Sequence, residues 1–93
     1  MAHVILFEHI DFRGAHKHVF KAEPDLAAGD DQFFNDRTSS IVILDGTWSF
    51  YTDANFVGEL AVLGPGMYRW VEEVGIPNDA ISSLQPSLLP TNL

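Results

Sequence analysis

A six-residue pattern of oxygen-bearing side chains occurs twice in this chain of 93 residues. Residues 35–40 read Asn-Asp-Arg-Thr-Ser-Ser, and residues 78–83 read Asn-Asp-Ala-Ile-Ser-Ser. We refer to these segments as the first motif and the second motif. The repetition indicates two similar units, and each unit is too short to bury a core of its own. The two halves are therefore expected to pack face to face around one shared core.

Each motif follows a second shared pattern, in which two aromatic residues five positions apart precede a glycine. The first copy is Phe7, Phe12 and Gly14, and the second copy, 44 residues later, is Tyr51, Phe56 and Gly58. A glycine at the same place in both copies predicts a positive φ in a folded-over hairpin, where a Cβ would clash. The first aromatic of each copy is expected to lie across that hairpin and shield it.

The composition excludes several classes of partner. Thirteen Asp and Glu against five Lys and Arg give a net charge of −8 without any basic stripe, so we expect no nucleic-acid partner. The sequence contains no Cys, which excludes disulfides, thiolate metal sites and a catalytic thiol. The apolar run at residues 3–7 is too short for a signal peptide or a membrane span. We expect a soluble monomer without membrane contact, whose location in the cell the sequence leaves open.

Short β-prone segments separated by turn-forming residues occur at residues 4–8, 18–21, 41–44, 47–51, 60–63 and 82–85. This spacing predicts an all-β sandwich or barrel. Turns are expected at residues 11–14, 55–58 and 64–66. Asp45 and Gly46 fit either a hairpin turn or a linker between the repeats, and their place at the junction of the two halves favours the linker.

Both patterns, doubled and in the same order, resemble those of the βγ-crystallin family in its calcium-binding microbial form. Residues 4–9, 46–51, 63–68 and 75–79 are also similar to an archaeal member. The resemblance covers nearly the whole chain and implies two consecutive Greek keys, packed as a sandwich of two four-stranded antiparallel sheets with strand exchange between the keys. A single domain is expected over residues 1–86, with keys at about 3–44 and about 47–86 and a frayed tail at 87–93.

The resemblance further implies two Ca²⁺ sites, each drawing ligands from both motifs. Each site would combine the second side chain of one motif, the third backbone carbonyl of that motif and the fifth-position hydroxyl of the opposite motif. One set is then Asp36, Arg37 and Ser82, and the other set is Asp79, Ala80 and Ser39.

Further residues are implied around these two sets. A carbonyl from a hairpin strand, at Glu8 or Thr52, would complete each shell, with the assignment of hairpin to ion left open. Asn35 and Asn78 are expected to brace the loops or to lie in the outer shell. The last residue of each motif is expected to hydrogen-bond near a folded hairpin, and these residues are Ser40 and Ser83.

Calcium suits such loops because it is a hard ion that takes six to eight oxygen ligands. Each implied site holds only one carboxylate, which predicts dissociation constants between roughly 10⁻⁶ and 10⁻⁴ M. Mg²⁺ would bind worse, since it demands near-ideal octahedral geometry. Binding to the folded state alone stabilises it by about 2.7 kcal/mol when free calcium is a hundredfold above the dissociation constant.

A zinc site is an alternative to calcium binding. His16 and His18 project from one face of a probable strand and offer two imidazoles. His3 and His9 are expected to lie elsewhere in the first half, and no further Cys, His or acidic residue stands at ligand spacing. Surface histidines on a strand are more common than ligands, so calcium remains the preferred hypothesis.

Catalysis and partner binding are further alternatives. We expect no enzyme, because the motif serines lack the flanking glycines of a nucleophile elbow. An aromatic patch for a carbohydrate or protein partner could include Trp48, Trp70, Phe33 and Phe34, although Trp48 is the better candidate for the core.

A purely structural crystallin without useful calcium affinity is the last alternative. The hydroxyls retained at Ser39 and Ser82 argue against it. Arg37 places a positive charge beside one site, which should weaken that site relative to the one formed with Ala80.

Overall fold

The computed structural model describes residues 2–27 and 34–87. Within these ranges the strands are β1 (His3–His9), β2 (Arg13–Val19), β3 (Ser40–Asp45), β4 (Trp48–Asp53), β5 (Val57–Leu63), β6 (Gly66–Tyr68) and β7 (Ser83–Pro86). Short 3-10 turns occupy Ile10–Phe12 and Val71–Val74. Across the described ranges, none of the helical segments has the length and apolar character needed to cross a membrane.

The strands form two antiparallel sheets that confirm the predicted sandwich with strand exchange. The first sheet has the order β2-β1-β3-β6, and the second has the order β5-β4-β7. Strand β6 belongs to the second half of the chain, yet it pairs with β3 of the first half. In return, Glu23 of the first half forms an isolated antiparallel bridge with Leu84 of β7. In the described residues the second sheet has three strands. The single bridge of Glu23 lies on the far side of β7, where a fourth strand would pair.

The junction between the halves is a linker, as predicted. Strand β3 ends at Asp45 in the first sheet, and β4 begins at Trp48 in the second sheet, so Gly46 and Thr47 carry the chain from one sheet to the other. The expected tail at 87–93 lies outside the described residues except for Ser87, whose N–H donates to the carbonyl of Thr47 at 2.6 Å.

Two strand predictions were wrong in position. Strand β2 was expected at residues 18–21 but runs from Arg13 to Val19, because most of its side chains are exposed and give no apolar alternation. Residues 64–66 were expected to be only a turn, yet Gly66 begins β6, a strand of three residues. A strand this short is held by its partner β3 rather than by its own sequence.

One apolar core lies between the sheets and draws on both halves. Alternate residues of β1 point inward, so that Val4 and Leu6 are fully buried, and Trp48 and Phe50 of β4 face them from the other sheet. Loop residues seal the edges of this core, and they include Leu26, Phe34, Val71, Ile76 and Ile81. The shared core explains why neither half is expected to fold alone.

The two hairpins adopt the same folded-over conformation. The φ angles of Gly14 and Gly58 are 83° and 77°, which confirms the predicted left-handed backbone. In each hairpin the two aromatic rings meet edge to face, with centroids 5.7 Å apart, and the pairs are Phe7 with Phe12 and Tyr51 with Phe56. These contacts tie the first aromatic of each hairpin to the second.

A buried serine holds each hairpin closed, as expected for the last residue of each motif. The Ser40 hydroxyl donates to the carbonyl of His9 at 2.6 Å and accepts from the N–H of Phe12 at 3.0 Å. Ser83 makes the same pair of bonds with Asp53 and Phe56, at 2.6 and 3.1 Å. Both serines are fully buried. Each therefore satisfies two backbone groups that the hairpin leaves unpaired.

Replacing the hairpin glycine Gly58 by alanine should destabilise the fold more than the same replacement at Gly75, where there is room for a Cβ. A Cβ at Gly58 would overlap Oγ1 of Thr52, whereas a Cβ at Gly75, where φ is 85°, would meet nothing within 4 Å. Both alanine variants carry the backbone strain, but only Gly58→Ala adds the overlap. We expect Gly58→Ala to lower the free energy of unfolding by more than about 2 kcal/mol and Gly75→Ala by about 1 kcal/mol in urea denaturation. Equal losses would contradict the overlap.

Removing either of two neighbouring buried hydroxyls should change the free energy of unfolding, and the two changes should have opposite signs. Among the described residues, Oγ1 of Thr38 is buried and has no hydrogen-bond partner, whereas Oγ of Ser40 makes two bonds. Thr38→Val should raise the free energy of unfolding by about 1 kcal/mol, and Ser40→Ala should lower it by about 1–3 kcal/mol. Thermal melts in excess EDTA measure both. A loss of stability in Thr38→Val would mean that its hydroxyl is paired.

Candidate functional site

The two motifs lie side by side and are joined by reciprocal backbone hydrogen bonds. The N–H of Asp36 donates to the carbonyl of Ile81 at 3.0 Å, and the N–H of Asp79 donates to the carbonyl of Thr38 at 3.3 Å. In each bond the second residue of one motif reaches the fourth residue of the other. The motifs are therefore related by an approximate two-fold symmetry, as expected for repeats that share one core.

Each motif is also fixed to the hairpin of its own half. The N–H of Ser39 donates to the carbonyl of Phe7, and the N–H of Ser82 donates to the carbonyl of Tyr51, both at 2.9 Å. These carbonyls immediately precede Glu8 and Thr52 in the chain. The structure therefore brings the Glu8 hairpin beside Ser39 and the Thr52 hairpin beside Ser82.

The fifth-position hydroxyls cross from one motif to the other. The Ser82 hydroxyl donates to Oδ1 of Asp36 at 3.0 Å. The Ser39 hydroxyl donates to Oδ1 of Asn78 at 2.6 Å and lies 3.5 Å from Oδ1 of Asp79. The structure thus brings together Asp36 with Ser82 and Asp79 with Ser39, which are the side-chain pairs that the resemblance implied.

The first residue of each motif supports the carboxylate of the aspartate that follows it. The Asn35 amide lies 3.4 Å from Oδ2 of Asp36, and the Asn78 amide lies 3.3 Å from Oδ2 of Asp79. Both aspartates have left-handed backbones, with φ of 56° and 59°. Their side chains are exposed, whereas Ser39 and Ser82 are buried. Each cluster therefore has a buried hydroxyl beneath a carboxylate that faces solvent.

The remaining predicted residues surround these clusters. The Glu8 carboxylate accepts from the N–H of Ala15 at 3.2 Å and lies 3.5 Å from Nε2 of His9, so it is engaged within its own hairpin. The Thr52 hydroxyl lies 3.4 Å from Oδ2 of Asp53. Arg37 is exposed at the third position of the first motif, and Ala80 occupies the same position in the second.

The groups gathered here are oxygens from carboxylates, amides, hydroxyls and backbone carbonyls. In the described part of the chain, no three or more His, Cys, Asp and Glu side chains are grouped to hold a metal. A site with a single carboxylate does not require such a group, because carbonyls, hydroxyls and water supply the other ligands of a hard cation. The donor set therefore fits Ca²⁺ and does not fit an ion that prefers nitrogen or sulfur.

Sequence reasoning missed the contribution of Glu72. Its Oε2 accepts from the N–H of Asn78 at 3.1 Å, at the entrance to the second motif. No sequence signal marks a carboxylate six positions before the residue that it supports. The bond depends on the 3-10 turn at Val71–Val74, which directs Glu72 towards the motif.

The histidine prediction needs a correction. His3 was expected to lie apart from His16 and His18, yet its Nε2 lies 2.8 Å from Nδ1 of His18. Antiparallel pairing of β1 with β2 produces this contact, because Ile5 lies opposite His18 and Phe7 lies opposite His16. Sequence separation conceals it, since 15 residues divide His3 from His18.

The proposed aromatic patch finds little support. Trp48 and Phe34 are buried in the core, which confirms the expectation for Trp48. Trp70 is half-buried, and Phe33 lies outside the described residues.

Comparison with known proteins identifies related sequences. A family profile described as Beta/Gamma crystallin matches residues 3–87. The chain is 40% identical over 85 residues to human Beta/gamma crystallin domain-containing protein 2, a match that covers 91% of this chain and 5% of the human protein. It is 34% identical over 85 residues to Beta/gamma-crystallin from Ciona intestinalis, covering 91% of this chain and 98% of the relative. The chain thus spans a small part of the human relative and nearly all of the Ciona one.

Solved structures give the same result. A betagamma-crystallin from an Archaea superposes with a TM-score of 0.83 at 42% identity, covering 92% of this chain and 98% of the other. A transition-metal-ion-binding betagamma-crystallin from Methanosaeta thermophila superposes with a TM-score of 0.76 at 35% identity, covering 88% of this chain and 96% of the other.

Proposed function

The chain belongs to the Beta/Gamma crystallin family, and from this premise we propose that it binds two Ca²⁺ ions, one at each cross-motif cluster. Calcium then stabilises the fold by tying the two halves together. The reciprocal arrangement of Asp36 with Ser82 and Asp79 with Ser39 carries the proposal, because each cluster takes one side chain from each half.

The first ion would be held by the Asp36 carboxylate, the Arg37 carbonyl and the Ser82 hydroxyl. The hydrogen bond from Ser82 to the Tyr51 carbonyl supports Thr52 as the hairpin carbonyl of this site. By the same argument, the second ion would be held by Asp79, the Ala80 carbonyl and Ser39, together with the carbonyl of Glu8. Asn35 and Asn78 would remain outside the first shell as supports for the carboxylates.

The polarity of the clusters favours a cation. A hydroxyl that now donates to a carboxylate can turn its proton away and offer a lone pair to an ion between the two groups. The carboxylates face solvent, so an ion can enter without a large rearrangement. The net charge of −8 raises the local concentration of cations around the chain. With one carboxylate per site, affinities in the micromolar range are expected, from roughly 10⁻⁶ to 10⁻⁴ M.

A single domain over residues 1–86 is part of this proposal, with Greek keys at about 3–44 and 47–86. The family match over residues 3–87 and the core shared by both halves support it. The domain binds ions rather than performing catalysis, because the four motif serines are engaged in bracing the hairpins and in facing the opposite motif.

A second candidate function is an architectural β-sandwich without useful calcium affinity. The direct bond from Ser39 to Asn78 at 2.6 Å favours it, because a neutral amide satisfies this hydroxyl without any ion. The Methanosaeta thermophila relative binds transition metal ions. At the motifs of this chain, the all-oxygen donor set favours calcium instead.

Calcium should raise the melting temperature of the chain. Two sites filled at a hundredfold excess over the dissociation constant each contribute about 2.7 kcal/mol, so the melt in millimolar CaCl₂ should lie more than roughly 10 °C above the melt in EDTA. Calorimetric titration should show heat from two binding events. Overlapping melts without heat on mixing would leave only the architectural function.

The variant Ser39→Arg tests the sharing of ligands between the motifs. An Arg at this buried position places a cation against Asp79, so the second site should be lost and the first weakened. Ser39→Thr is the matched control, because it keeps the hydroxyl and should retain two sites. If Ser39→Arg does not fold, Ser39→Ala removes the ligand without adding bulk and should lose the same site. Two undisturbed sites in either variant would refute the shared arrangement.

The two proposed calcium sites should differ in affinity because the third residues of the two motifs differ. Arg37 places a positive charge beside the Asp36 cluster, whereas Ala80 is neutral. Arg37→Ala should strengthen the weaker calcium-binding step several-fold and bring the two dissociation constants together, as measured by calorimetry at low ionic strength. The control Arg13→Ala makes the same charge change on β2 and should leave the ratio of the two constants unchanged. An unchanged ratio in Arg37→Ala would contradict the electrostatic origin of the difference.

A further inference from the structure

Three of the four histidines of the chain lie together on the outer face of the first sheet. We call His3, His16 and His18 the histidine face. His16 and His18 alternate with Lys17 along β2, so both side chains point to the same side of the strand. Because β1 pairs with β2 and Ile5 lies opposite His18, His3 on β1 is a diagonal neighbour of His18 on this side.

The imidazole rings of this face are already close to one another. Nε2 of His3 lies 2.8 Å from Nδ1 of His18, and the two ring centroids are 5.1 Å apart. The ring of His16 follows at 5.3 Å from that of His18. His16 and His18 are exposed and His3 is partly exposed, so an ion can reach them from solvent.

Phe20 restrains this arrangement. Its ring stacks on His3 at a centroid distance of 4.3 Å and lies nearly parallel to His18 at 6.2 Å. Together with the paired strands, the stacking limits the rotation of both imidazoles. Less side-chain entropy is then lost when a ligand fixes them.

We propose that His3 and His18 form a second, separate metal site for a borderline divalent ion such as Zn²⁺, with the ring of His16 beside it. Neutral imidazoles bind such ions and are poor ligands for Ca²⁺. The site shares no residue with the motif clusters, which are built from oxygens. It therefore does not rest on the proposed calcium function.

The spacing fits a shared ion after a small adjustment. With a metal–nitrogen distance of about 2.0–2.1 Å and tetrahedral angles, two ligand nitrogens are about 3.3 Å apart and their ring centroids about 5 Å apart. The centroid distance of 5.1 Å between His3 and His18 agrees with this geometry. The 2.8 Å nitrogen contact between His3 and His18 would have to open by about 0.5 Å as the metal replaces the hydrogen bond. Water would occupy the remaining positions, since the described residues hold no group of three or more His, Cys, Asp and Glu side chains that could bind a metal.

Zinc titration in the presence of saturating calcium tests the site. The chain is titrated with ZnCl₂ in CaCl₂, which keeps the motif clusters occupied by calcium if they bind it. The titrated chain carries a histidine-free extension before Met1. An α-amino group two residues from His3 could otherwise act as a further zinc ligand, and the extension moves that group away. We expect one zinc-binding event by calorimetry, with the ring-proton NMR signals of His3 and His18 shifted. His3→Gln and His18→Gln should each lower the association constant at least tenfold, and His16→Gln should lower it by a smaller factor.

His9→Gln is the matched control. His9 is the fourth histidine, lies 3.5 Å from the Glu8 carboxylate and belongs to no ring contact of the histidine face. Its substitution should leave zinc binding unchanged. Unaltered zinc affinity in His18→Gln, loss of binding in His9→Gln instead, or the absence of heat and of ring-proton shifts at millimolar zinc would overturn the proposal. Melts in calcium without zinc verify that each variant is folded.

Discussion

The backbone bonds between the motifs, from Asp36 to Ile81 and from Asp79 to Thr38, fix the geometry on which the rest of the site depends. Each connects the two halves of the chain directly above their shared core. Between them, Ser39 and Ser82 are held by their own hairpins and face the opposite motif. Neither motif can move without disturbing a hairpin, the other motif and the buried residues beneath both. A ligand that bridges the motifs would therefore act on the whole sandwich rather than on one loop.

Backbone strain accompanies this geometry in both halves. Non-glycine residues with positive φ occur at equivalent places in the hairpins and motifs, namely Asp11, Phe12, Asn55, Phe56, Asp36 and Asp79. Left-handed conformations of this kind cost roughly 1–2 kcal/mol each and persist only where the surroundings determine them. In the hairpins, the surroundings are the aromatic pairs and the buried serines. In the motifs they are the cross-motif bonds, which hold Asp36 beside Ser82 and Asp79 beside Ser39.

Much of this arrangement could be predicted from the sequence because it is repeated. Gly14 and Gly58 reveal the hairpins, the doubled motif reveals that the two halves are similar, and the family resemblance implies which side chains meet between them. The exposed strand β2 and the short strand β6 could not be placed, because their pairing depends on neighbours rather than on their own apolar pattern. The support that Glu72 gives to Asn78 and the contact of His3 with His18 were missed for the same reason. Both depend on chain geometry that brings together residues without a shared motif.

The calcium and zinc proposals place two kinds of donor on one strand without making them compete. His3 and Glu8 stand five residues apart on β1, which corresponds to roughly 16 Å at about 3.3 Å per residue. Two divalent ions at that separation repel by only about 1 kcal/mol in water, and a Debye length of about 8 Å at physiological salt reduces this further. Donor chemistry separates the sites more strongly than charge does, because oxygens select a hard ion and imidazoles a borderline one. The first hairpin can therefore serve both sites, with its folded end carrying the carbonyl of Glu8 and its open end carrying His3 and His18.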